Sequence, residues 1–169
     1  MLSPYLEKLN SKKIILASSS AARQKIISQS GLEFTISPSN FSEDLDKSQY
    51  THEEYVTETS YHKLLDKIED LKSKQEHADI IIVGDTVISY DGDIIEKAEN
   101  AEHAISICKR LTGQTHTVMT SVFIAFLDQD LTITGKKHIL DKTEVEFYTL
   151  TDRMIEDYVE TGNAYGKSG

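Results

Sequence analysis

Asp79-Ile80-Ile81-Ile82-Val83-Gly84-Asp85 decides the fold. Four consecutive β-branched apolar residues, bounded by an aspartate and a glycine, read as a strand covered on both faces, as in the middle of an α/β sheet. Working back, Lys13-Ile14-Ile15-Leu16-Ala17 is a second buried strand that runs into Ser18-Ser19-Ser20, with a serine placed to cap the next helix. That helix, about 21–30, is expected to turn Ile26 and Ile27 toward the sheet and to stop at Gly31. A short strand over 33–37 follows, then a polar, acidic loop over 41–50.

Downstream, Val56, Leu64, Ile68 and Leu71 make one apolar stripe of a helix over about 51–75, with Thr59 and Lys63 sharing another face. Asp91-Gly92-Asp93 reads as a hairpin turn. Ala101, Ala104, Ile105, Cys108 and Leu111 mark an amphipathic helix closed near Gly113. Two long strands are expected over 115–126 and 138–148, neighbours around the polar stretch 128–137, before a last helix over 152–160. Strands and helices are mixed, so the fold class read from the residues is α/β or α+β with a mixed sheet.

The chain has 169 residues, enough for one domain with a sizeable core. Its formal charge of −10 repels polyanions, which argues against a nucleic-acid polymer as partner. A small phosphorylated ligand held by a local cation cluster remains compatible with that charge. No stretch approaches the ~18–20 apolar residues of a membrane span, so no membrane partner and a cytoplasmic setting are expected. The one cysteine, Cys108, lies on an apolar stripe and reads as core rather than nucleophile.

Three segments could carry chemistry. Leu16-Ala17-Ser18-Ser19-Ser20-Ala21-Ala22-Arg23 leads a strand into a helix start, offering backbone N–H groups, hydroxyls and a guanidinium to a phosphate. Asp85, in Val83-Gly84-Asp85-Thr86-Val87, stands just past a buried strand, where it could bind Mg²⁺ or orient a water. Glu43-Asp44 in the acidic loop offers a second carboxylate. Lys63, Lys97 and Lys167 are candidate phosphate contacts, and His116 reads as structural. Gly162-Asn163-Ala164-Tyr165-Gly166-Lys167-Ser168 mimics a P-loop, but its glycines are too close together and it follows a helix.

Taken in order, these segments resemble the Maf family of nucleotide pyrophosphatases. The family's L-A-S-x-S-P-R-R loop is matched by Leu16 to Arg23, its D-T-V-I element by Asp85-Thr86-Val87-Ile88, and its E-K-P element by Glu96-Lys97-Ala98. Its R-L-S-G-x-x-H-x-V-x-T-G-V stretch is matched by Arg110 to Val122, its T-x-V-x-F strand by Thr143, Val145 and Phe147, and its closing motif by Tyr158, Gly162, Asn163 and Lys167 to Gly169. Phe41 to Lys47 is similar to its acidic loop. The departures are Ala21, Ala22, Ala98, Ser121 and Asn163.

The resemblance implies a mixed, curved sheet flanked by helices, in two lobes around a cleft, as in inosine triphosphate pyrophosphatases. It also implies an N-terminal extension over 1–12, and a single domain over 13–169 that lacks the family's C-terminal end. The implied activity is hydrolysis of a nucleoside triphosphate to monophosphate and pyrophosphate by a metal-dependent homodimer. Asp85 and Glu43 would be catalytic and would bind Mg²⁺ or Mn²⁺. Ser18, Ser20, Arg23, Lys63, Thr86, Lys97 and Lys167 would bind substrate. A dTTP, UTP or modified-nucleotide substrate is expected; a purine-directed enzyme and a nucleotide-binding regulatory module without turnover are the alternatives.

Overall fold

The computed structural model describes residues 2–165. It is an open, mixed six-stranded sheet flanked by helices, with strand order β2-β1-β3-β5-β6 and β4 paired to β3. The chain forms two compact units by its internal contacts, and β3, Ile80–Tyr90, contributes residues to both.

The first unit comprises Met1–Leu45, Thr57–Asp85 and Ser121–Ile139. Here β1, Ile14–Leu16, is fully buried and lies parallel to both neighbours: to β2, Thr35–Ile36, and to β3, with Ile14, Ile15 and Leu16 opposite Ile80, Ile81 and Ile82. A parallel strand buried on both faces needs apolar residues at every position, which is why the opening run is continuous rather than alternating. The long helix α3, His52–Lys74, lays Leu64, Ile68 and Leu71 on Ile15, Ile81, Val83, Phe123 and Ala125, and this forms the unit's core. Phe123 and Ala125 come from β5, Thr115–Leu127, whose sheet neighbour is β6, Ile133–Glu146. The N-terminal residues are docked: a short helix α1, Leu6–Asn10, is tied down by Asn10, which donates to Gly31 O at 3.1 Å and accepts from Glu33 N at 3.0 Å.

The second unit comprises Asp46–Val56, Thr86–Thr120 and Leu140–Gly169. The far end of β3 pairs antiparallel with β4, Asp93–Ile95, across Asp91 and Gly92. Both turn residues have positive φ, 51° and 78°, the conformation a tight two-residue hairpin requires. Ile88, Ile95 and Leu111 form the core with Tyr90, Ile107, Val118 and Phe147 around them. Leu111 closes α4, Ala101–Leu111, which packs on α5, Asp152–Glu160. Cys108, expected in the core, is only half-buried: it lines a cavity with Ile88, Leu111 and Phe147, and desolvation pushes its thiol up from its ordinary value.

Two expectations are corrected. Helix α2, Ala21–Gln29, buries none of its residues, and Ile26 is 65% exposed. Ile26 and Ile27 are adjacent, without partners three or four residues away, so they make no stripe to bury. And β6 begins at Ile133, five residues before the expected start at 138. Its residues are mostly exposed and polar, so the strand is held by its backbone ladder with β5 and not by an apolar pattern. Among the described residues no helix is long and apolar enough to cross a membrane.

Candidate functional site

A group of charged residues assembles at the end of the apolar part of β3. Strand β1 delivers Ser18, and Ser20 caps α2 by accepting from Arg23 N at 3.4 Å. Ser18 Oγ accepts from Ser20 N at 3.3 Å and from Arg23 Nη1 at 3.1 Å, so the serine loop folds back onto the guanidinium. Next to it Gly84 leaves room: a Cβ there would stand 3.0 Å from Ser121 O and 3.4 Å from Arg23 Nε. A side chain there would press first on the Ser121 carbonyl of the neighbouring strand.

Asp85 follows and is 3% exposed. Its Oδ1 accepts from Lys63 Nζ at 2.8 Å, and the same ammonium lies 2.6 Å from Glu43 Oε1. Burial raises the Asp85 carboxyl above the ordinary carboxylate range; Lys63 opposes that shift and Glu43 adds to it. Desolvation lowers Arg23, and attraction to Asp85 and Glu43 counters it, so the guanidinium stays charged. Five of the expected residues, Ser18, Arg23, Glu43, Lys63 and Asp85, therefore form one group within the first unit, with Ser20 bonded to it.

The other three fall elsewhere. Thr86 belongs to the second unit, where its hydroxyl meets Thr120 Oγ1 at 3.1 Å. Lys97 also belongs there, just beyond β4 and next to Glu96, which bonds Tyr55 Oη at 2.9 Å and Lys47 Nζ at 2.5 Å. Lys167 lies outside the described residues. His116 is 2% exposed and sits edge-on to Phe147 at 4.8 Å, and desolvation lowers its pKa from the ordinary value. Ser121, which replaces a family glycine, has a place for its hydroxyl between Ser60 Oγ at 2.6 Å and His138 Nε2 at 3.0 Å.

The sequence reading missed Gly84, Asp66 and Lys67. Gly84 could have been found from its position between a buried strand and a candidate catalytic aspartate. Asp66 and Lys67 left no comparable signal, because charged residues on a long helix ordinarily face solvent. Yet Lys67 is 1% exposed, bonded to Asp70 and Ser37.

The donor set suits a small hard cation. Mg²⁺ is commonly held by one or two carboxylates together with substrate phosphates rather than by an all-protein cage. Asp85 and Glu43 supply two carboxylates that both meet the Lys63 ammonium, and among the described residues no group of three His, Cys, Asp or Glu could form such a cage.

A serine loop and guanidinium at a helix start thus stand beside two carboxylates and a lysine on an α/β fold. The model of the family described as "Maf-like protein" matches residues 13–169. The chain belongs to the Maf family. It is 36% identical over 170 residues to a nucleoside triphosphate pyrophosphatase of Dictyostelium discoideum, covering 100% of this chain and 79% of that one. A dTTP/UTP pyrophosphatase of Schizosaccharomyces pombe is 34% identical, covering 95% and 70%. A probable bifunctional dTTP/UTP pyrophosphatase/methyltransferase protein of Homo sapiens is 35% identical, and the chain spans 28% of its length.

Proposed function

We propose that this chain hydrolyses a nucleoside triphosphate to its monophosphate and pyrophosphate, with a divalent metal, as a house-cleaning enzyme of the nucleotide pool. The observation that carries the reading is Lys63: a nearly buried ammonium bonded at once to Asp85 and Glu43, beside an anchored Arg23. Uncomplexed, the two carboxylates and two cations neutralise one another. A triphosphate entering with its metal brings both signs of charge, and each side chain then gains a partner.

In the reaction water attacks the α-phosphorus, the bond to the β-phosphate's bridging oxygen breaks, and pyrophosphate leaves with that oxygen. Asp85 orients the water and takes its proton, a role open to a positioned carboxylate. Glu43 holds the second carboxylate position. Arg23 and Lys63 stabilise the negative charge that develops on the departing pyrophosphate. Ser18 keeps Arg23 aimed, Ser20 offers a further donor, and Lys97 with Lys167 would extend the phosphate contacts. Mg²⁺ or Mn²⁺, held by Asp85 and Glu43, would supply charge neutralisation and a more acidic water.

The names of the relatives support dTTP and UTP as substrates. By resemblance the enzyme is a cytoplasmic homodimer. The test is pyrophosphate release from a panel of pyrimidine, purine and modified triphosphates with Mg²⁺ or Mn²⁺, beside Asp85→Asn. Release by the native protein that falls at least a hundredfold in the variant is expected. Preferred release from inosine triphosphate would overturn the pyrimidine reading. Nucleotide binding with no release would leave a binding module.

A further inference from the structure

The second carboxylate, Glu43, sits on a stretch with no secondary structure of its own: residues 37–46 contain neither helix nor strand. A charged side chain on such a stretch samples many positions unless something fixes the backbone. What fixes it here is a row of side chains on one face of α3. Lys67 Nζ donates to Ser37 Oγ at 3.1 Å. Asp66 Oδ2 accepts twice, from Ser39 Oγ and from Asn40 N, both at 2.8 Å. Ser39 Oγ in turn accepts from Phe41 N at 3.0 Å, and the Phe41 ring stacks on His62 with centroids 5.2 Å apart. Lys63 then meets Glu43.

Residues 62, 63, 66 and 67 lie three to five apart or adjacent, so they share the side of the helix along which the strap runs. Strap and helix are antiparallel: Ser37 meets the later Lys67, Glu43 the earlier Lys63. Asp66 is the central fastening, because one oxygen holds a side chain and a main-chain amide at once, and the amide is the contact that fixes backbone.

We propose that Asp66 is a positioning residue for the active site, clamping the strap over residues 37–43 to α3 so that Glu43 is presented beside Lys63 and Asp85. Asp66 does not touch the reacting groups; it acts through Glu43. Its consequence for metal binding rests on the function proposed above, whereas the clamp itself is a property of the fold.

The experiment compares native protein, Asp66→Ala, Asp66→Asn, Glu43→Gln and the double variant Asp66→Ala/Glu43→Gln. Two readouts are taken: amide hydrogen exchange over residues 39–44, and Mn²⁺ affinity in the presence of α,β-methylene dTTP. Asp66→Ala should speed exchange over 39–44 by about tenfold or more while the α3 core stays protected, and Asp66→Asn, which keeps an acceptor oxygen, should restore most of that protection. Mn²⁺ affinity should fall about tenfold in Asp66→Ala, and the double variant should be no weaker than Glu43→Gln alone. Unchanged exchange in Asp66→Ala, or losses of affinity that simply add, would overturn the proposal. If Glu43→Gln binds Mn²⁺ as the native protein does while exchange still responds to Asp66, the clamp stands and the role of Glu43 as metal ligand falls.

Discussion

At the scale of the residue, the proposed chemistry is concentrated in Asp85. A carboxylate this buried costs desolvation energy whenever it is ionised, and the cost is only partly offset by Lys63 and Arg23. Its proton affinity in the fold therefore exceeds that of a free aspartate, whose pKa is about 3.9. The sign follows. As pH falls, Asp85 in the metal-free protein protonates before an exposed aspartate would. An NMR titration of the aspartate carboxyls without metal should show one that titrates above the ordinary aspartate range, and that signal should be missing in Asp85→Asn. Asp85, Glu43 and Lys63 were singled out in the sequence because each stands in a recognisable pattern: strand end, acidic loop, helix face beside the apolar stripe. Asp66 was not, since its two partners lie 26 and 27 residues away and only a folded strap brings them together.

At the scale of the element, α3 does two jobs with two faces. One face carries Leu64, Ile68 and Leu71 into the core, and the other carries Lys63, Asp66 and Lys67 to the site and its strap. A helix can do this because its 3.6-residue period separates the two sets. Leu64→Ala, at a position with no exposure, should destabilise the fold by about 2–5 kcal/mol, measured by urea unfolding. The helix was legible because its stripe is periodic and long. The face of α2 and the start of β6 were not: two adjacent isoleucines have no helical period, and an exposed, polar strand has no apolar alternation to read.

At the scale of the whole molecule, the charge of −10 makes the distant field repulsive to polyanions, and Arg23 and Lys63 are matched locally by Asp85 and Glu43. The protein should therefore show no binding to duplex DNA at physiological salt, and fluorescence anisotropy with a labelled oligonucleotide will check this. Composition, apolar periodicity and the order of short motifs by themselves determined the mixed-sheet class, the long helix, the buried strands and the family, because each is set by residues close together in the chain. Only the tertiary structure decided that Lys63 joins both carboxylates, that Gly84 makes room for the Ser121 carbonyl, and that a row of side chains on α3 holds the strap. Those contacts join residues far apart in sequence, and their energies depend on burial and distance, which no local pattern encodes.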